Sequence, residues 1–210
     1  NDTRAMASGE LCVGNVHDEK DVLFLNIDYG IGLGILINGQ LYYGKSGFSG
    51  EFGHIPVFNN EIMCHCGKKG CLETEASGAA LIRMFRQKLK EGSSSILTKR
   101  IDPDKIQLED IINAAHQDDF LAIDLIGKVG ENIGRGIAML INIFNPELVI
   151  LGGSLASTED YIRLPIKSAI NKYSLSMLNN ATELKMSKLA DEAGVIGACL
   201  LVWKRVLSQV

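Results

Sequence analysis

The stretch GEFGHIPVFNNEIMCHCGKKGCLE, Gly50–Glu73, sets His54 and three of the chain's five cysteines among nearby carboxylates. Thiolate and imidazole are soft to borderline donors, and four of them fill a tetrahedral zinc site with no open position. Cys64-His65-Cys66-Gly67 lets two sulfurs reach one ion from a tight knuckle, and Gly67 and Gly70 supply the positive φ that returns Cys71 to it. His54, Cys64, Cys66 and Cys71 are read as one closed, structural zinc site. The plainer alternative is three buried or reactive thiols beside an unrelated histidine. His65, between two ligands, is expected at the surface, pointing away from the ion. Cys12 and Cys199 lie far from the cluster and read as small core residues.

Working outward, Val22–Asp28 (VLFLNID) and Gly34–Asn38 (GILIN) are apolar, β-rich runs, and a third, Leu41–Gly44, follows Gly39 and Gln40. Asn38-Gly39 tolerates positive φ at both positions, so a hairpin and a three-stranded meander are predicted. Gly30-Ile31-Gly32-Leu33-Gly34 lets a backbone approach a ligand closely, yet a purely structural strand turn would look the same. Helices are expected from Leu72 to about Glu91, over Leu108–His116, and from Asp118-Asp119 to about Phe144, with a loop over 96–106. The long helix carries Gly127, Gly130, Gly134 and Gly136; each costs about 1 kcal/mol against alanine, which points to close approach of a neighbour. Leu148–Leu151 (LVIL) reads as a buried parallel strand running into Gly152-Gly153-Ser154, a turn that suits a phosphate or nucleoside edge and serves equally for packing. An opening helix capped by Asn1 or Asp2, a helix over about Thr158–Lys172, a strand over Glu183–Ser187 and a last helix over Gly194–Leu207 complete an α/β chain.

With 210 residues, 46% hydrophobic and 22% charged, the chain can bury one substantial core or two small ones. Its net charge of −4 lacks the basic footprint of a nucleic-acid surface. No apolar run approaches a bilayer span and no leader pattern opens the chain, so a cytoplasmic location with reduced thiols is expected. The start at Asn1-Asp2-Thr3-Arg4, without an initiator methionine, reads as a piece of a longer product.

Taken together, NDTRAMASGE, GIGLGILINGQLYYGKSGFSGEFGH, CHCGKKGCLE, INIFNPELVILGG and GVIGACLL resemble the ROK family of bacterial sugar kinases and sugar-responsive repressors across nearly the whole chain. The resemblance implies the actin-like ATPase, ribonuclease H-like fold, here as a single C-terminal effector domain over 1–210 with an inserted zinc knuckle. It places an N-terminal lobe and any helix-turn-helix upstream. It also implies that Asn1, Asp2, Glu51, His54 and Glu73 line a site for a hexose, amino sugar or sugar phosphate, and that His54 divides its ring nitrogens between zinc and sugar. A homodimer or dimer of dimers follows from the same resemblance, with DNA bound only through the upstream domain.

In the family's kinases the residue matching Asp2 is the general base, working with ATP and Mg²⁺, and Gly30, Gly32, Gly34, Gly152 and Gly153 would then serve the nucleotide. This chain departs from that pattern. Asp28-Tyr29-Gly30 stands where similar kinases have Gly-Thr-Gly, and a carboxylate there repels a triphosphate. Leu33 replaces a glycine, Arg4 a small or amide residue, and the family's first phosphate loop is absent from this sequence. The expectation is therefore a repressor's sugar-sensing domain rather than the C-terminal lobe of a hexose kinase. Arg4 and Lys45 stand as possible anion partners.

Overall fold

In the computed structural model, which describes residues 2–207, a five-stranded mixed sheet is ordered β3-β2-β1-β4-β5. Strands β1 (Val22–Ile27), β2 (Ile31–Ile37) and β3 (Gln40–Leu41) form the antiparallel meander. Asn38 and Gly39 both take positive φ at its hairpin, as their chemistry favours. The third strand is shorter than its apolar run suggested, because the chain leaves the ladder at Tyr42 for a loop. Strands β4 (Leu148–Gly152) and β5 (Glu183–Met186) join β1 in parallel.

Both central strands are buried on two faces, which explains why VLFL and LVIL are continuous rather than alternating. Leu23, Leu25, Val149 and Leu151 point into the larger core, and Val22, Phe24, Leu148 and Ile150 into the smaller. Helix α1 (Asp2–Val13) covers the smaller face through Ala7, and the last helix, α8 (Ala193–Leu207), packs on α1. The cap expected of Asn1 lies outside the described residues. The larger face is covered by α5 (Phe120–Phe144), with α3 (Gly78–Lys90), α4 (Leu108–Ala115) and α6 (Asp160–Tyr173) around it.

The glycines of α5 do face a neighbour. A Cβ at Gly134 would lie 2.5 Å from the carbonyl oxygen of Ile166 on α6, and one at Gly130 would lie 3.1 Å from that of Ile162. Asp119 caps α5 by accepting a hydrogen bond from the Ala122 N–H at 2.9 Å, and Asn145 ends it in the left-handed region just before Pro146.

Several expectations fail here: Cys12 and Cys199, read as small core residues, are exposed, and the second strand begins at Ile31 rather than Gly34. The helix read as continuous from Leu72 is two, α2 (Glu73–Ala76) and α3, broken at Ser77. Ser77 is extended; its hydroxyl accepts from the Ala80 N–H and donates to the Glu73 carbonyl. The freed N–H groups of Gly78 and Ala79 donate to the carbonyls of Asp28 and Tyr29, at 2.8 and 3.0 Å. The break thus ties the β1–β2 turn to the first residues of α3. The segment read as loop over 96–106 also contains two short 3-10 turns, Ile96–Lys99 and Pro103–Lys105. A further short helix, α7 (Ser176–Asn179), precedes β5.

Candidate functional site

Cys64, Cys66 and Cys71 converge on His54, and the four donor atoms lie within 4.8 Å of one another. Isolated bridges at Pro56–Cys71 and Met63–Lys69 close the knuckle, with Gly67 and Gly70 at positive φ. Gly70 has no room for a side chain, since a Cβ there would sit 2.0 Å from the Phe58 carbonyl oxygen.

The spacing fits one ion. With metal–sulfur bonds of about 2.3 Å and metal–nitrogen bonds of about 2.0 Å, a tetrahedron has edges of about 3.8 Å between sulfurs and about 3.5 Å between sulfur and nitrogen. The observed Cys66–Cys71 Sγ separation is 3.7 Å, and Cys64 Sγ lies 3.5 Å from His54 Nδ1. Without a metal the buried Cys71 and the exposed Cys66 differ. Burial, reinforced by the neighbouring thiols, pushes the Cys71 thiol up to about 12, whereas the backbone N–H of Lys68 holds Cys66 below its ordinary value.

His54 uses Nδ1 in this cluster and turns Nε2 toward Glu51, 3.9 Å from its Oε2. That nitrogen opens on a cleft of about 350 Å³, whose walls include Asp2, Asp28, Glu51, His54, His65 and Glu73. Glu73 is held through both oxygens: Oε2 accepts from the Ile31 N–H at 3.0 Å, and Oε1 pairs with His65 Nδ1 at 2.9 Å. His65 is exposed, as expected, but it does not point away from the site. Its ring reaches back to Glu73 and meets His54 edge-on at 4.9 Å. Sequence reasoning missed this because a residue between two ligands has no fixed direction until the knuckle is folded.

The glycine-rich strand has its own steric reasons. A Cβ at Gly30 would lie 2.7 Å from Glu73 Oε2, one at Gly32 would lie 2.0 Å from Thr3 Oγ1, and one at Gly34 would lie 2.7 Å from the Ala7 side chain. Gly30 and Gly32 line the carboxylate cleft. Asp2 sits in the first turn of α1, its Oδ1 accepting from the Thr3 N–H. Arg4 is engaged elsewhere, donating to the Ser49 carbonyl at 2.9 Å and lying over the Tyr43 ring.

Gly152 and Gly153 border a second cleft of about 650 Å³ at the carboxyl ends of β4 and β5, together with Ser154, Glu159, Asp160 and Arg163. Gly153 is at φ +88°, and a Cβ there would lie 2.4 Å from Asn26 Oδ1. Arg163 is paired with Asp160 at 2.7 Å. Between the two clefts stands Asp28: its Oδ1 accepts from the Tyr29 N–H at 2.8 Å, and its Oδ2 accepts from the Ser154 hydroxyl at 3.0 Å.

Two adjacent clefts thus lie at the carboxyl ends of a mixed sheet, one of them walled by carboxylates and His54. The model of the ROK family matches residues 1–205. The chain belongs to the ROK family. It has the actin-like ATPase type of α/β fold found in that family.

Among curated relatives, the glucokinase of Thermotoga maritima is 32% identical over 98% of the chain and 65% of its own length. The DNA-binding transcriptional dual regulator NagC of Escherichia coli is 34% identical over the whole chain and 50% of its own length. A crystal structure of a ROK transcriptional regulator, a homologue of the E. coli MLC protein, superposes with a TM-score of 0.87 at 35% identity, over 95% of this chain and 50% of that one. A Streptomyces griseus ROK glucokinase in complex with glucose and AMPPNP gives 0.87 at 31%, over 96% of this chain and 66% of that one. The chain thus spans between half and two thirds of the length of these relatives. Repressors and kinases resemble it to a similar degree. Among the described residues no helix is long and apolar enough to cross a membrane.

Proposed function

We propose that this chain is the sugar-sensing effector and dimerisation part of a ROK transcriptional repressor, with DNA read by a domain outside this sequence. The observation that carries the reading is the position of Asp28. Its carboxylate, in the wall of the first cleft, is fixed to Ser154 in the wall of the second. A fixed negative charge there opposes a triphosphate. The second cleft adds Glu109 and Glu159, and its Arg163 is already neutralised by Asp160.

The ligand site is the carboxylate cleft. Glu51, His54, Glu73 and Asp2 offer paired acceptors and a ring nitrogen, the groups that bind vicinal hydroxyls. Asn1 belongs with them by resemblance. Among the described residues four carboxylates and no lysine or arginine line the cleft, so the ligand is an uncharged hexose or amino sugar rather than a sugar phosphate. The four-ligand cluster holds zinc in a structural role, because all four positions are protein donors and two opposite edges, Cys64–His54 and Cys66–Cys71, have tetrahedral lengths. It orients His54 by fixing Nδ1 and leaves Nε2 for the sugar.

The kinase reading draws support from the glucokinase similarity. In it Asp2 is the general base toward the sugar hydroxyl, ATP with Mg²⁺ supplies the phosphoryl group, and Gly30, Gly32, Gly34, Gly152 and Gly153 serve the nucleotide. Calorimetric titration of the native full-length protein with hexoses and amino sugars, with ATP turnover followed on the same sample, separates the two. Sugar binding without turnover is expected. Sugar-dependent phosphoryl transfer that Asp2→Ala abolishes would establish the kinase.

A further inference from the structure

The carboxylate cleft does not end at Glu73. A second cavity of about 570 Å³ lies directly behind it, and Tyr29, Gly30, His65 and Glu73 line both. The His65–Glu73 pair is the partition between them. On the far side, the walls are Ile62 and Met63 of the knuckle, the small residues Ala79 and Ala80 that open α3, and Arg83 at the end.

Three properties of this cavity define what it accepts. Its size exceeds that of the carboxylate cleft, so a further ring has space. Its mouth presents two large side chains to solvent, Tyr29 at 66% exposure and Met63 at 61%. An aromatic face beside a flexible thioether is a platform for the C–H face of a pyranose ring or for another flat apolar group. Its one cation carries no free charge for an anion: Arg83 donates to the Thr74 carbonyl at 2.9 Å and pairs with Glu75 at 3.2 Å. The occupant is therefore uncharged.

Resting on the sugar-binding reading above, we propose that this chain senses a two-ring ligand, a disaccharide or an uncharged glycoside. One ring is gripped by Glu51, His54 and Glu73, and the second lies on Tyr29 and Met63. His65, exposed and held to Glu73 by a single contact, is the hinge of the partition: it swings from Glu73 Oε1 to admit the glycosidic link, and a sugar hydroxyl then donates to that oxygen. The imidazole side of this pair is open to solvent, so the ring can turn outward while Glu73 stays anchored on the Ile31 N–H.

The test is calorimetry on the native full-length protein with glucose, N-acetylglucosamine and xylose, beside cellobiose, maltose, N,N′-diacetylchitobiose and phenyl β-glucoside. At least one two-ring compound is expected to bind tenfold or more tightly than its own monosaccharide. Met63→Ala, exposed and outside the carboxylate cleft, is expected to remove that advantage and leave monosaccharide affinity within twofold. His65→Ala is expected to tighten the two-ring ligand. Monosaccharides binding as tightly as any two-ring compound, with Met63→Ala silent, overturns the second subsite and leaves the sugar reading standing. If none of the compounds binds and Glu73→Gln changes nothing, the sugar reading itself fails and takes this proposal with it.

Discussion

At the scale of single residues, Glu73 is the most constrained group in the cleft: one oxygen on a main-chain N–H, the other on His65, and a glycine where any side chain would collide with it. Gly30→Ala is therefore expected to displace the carboxylate and weaken sugar binding at least tenfold, while the thermal midpoint moves by only a few degrees; calorimetry and a melting scan on one sample check it. The cysteines lead to a pH prediction. In metal-free protein the Cys71 thiol, with its pKa raised to about 12, stays neutral where an unfolded thiol already ionises. The unfolded chain then holds fewer protons, so stability contributed by Cys71 is full below about pH 9 and is lost as pH rises through that window. Denaturant unfolding of chelated protein is expected to show this decline, and metal-loaded protein should not. Metal affinity runs the other way and falls on acidification, because the ligands must shed protons to bind. Of the site residues, His54 and the three cysteines were legible from residue type and spacing alone. The role of His65 was not, because it depends on which way one side chain points across a folded knuckle.

The helices carry a different kind of information. Glycines in α5 are a helix cost that only the neighbouring helix can explain, and they are not equivalent. Gly134 is closed off by the α6 backbone, whereas Gly127 has only Pro165 at 3.9 Å. Gly134→Ala is expected to destabilise by about 1–3 kcal/mol through overpacking. Gly127→Ala is expected to be neutral or stabilising by up to about 1 kcal/mol, since only propensity changes. Equal effects at the two positions in urea unfolding would contradict the packing geometry. The α2–α3 break was invisible in the sequence because apolar periodicity runs straight through Ser77. Ser77→Ala is expected to cost about 1 kcal/mol as a lost cap. Its larger consequence is a loosened Asp28–Gly30 turn, read as faster amide exchange at Gly78 and Ala79.

Across the whole molecule, the knuckle, the β1–β2 turn and the start of α3 form one connected unit around the cleft, distinct from the sheet and the α5–α6 pair that carry most of the core. Stripping the metal with a chelator is expected to open residues 55–71 to proteolysis and abolish sugar binding, with helical circular dichroism nearly unchanged. Simultaneous loss of all three signals would mean the core depends on the metal as well. The sequence by itself determined the fold class, the meander, the parallel strands, the clustering of His54 with three cysteines and the family, because each rests on local chemistry: donor type, turn glycines and apolar runs of the right period. Only the tertiary structure decided how those parts face one another. It set Asp28 on Ser154 between two clefts, turned His65 back onto Glu73 and opened a second cavity behind that pair. These are contacts between segments far apart in the chain, and their geometry is fixed by packing rather than by any residue's own preference.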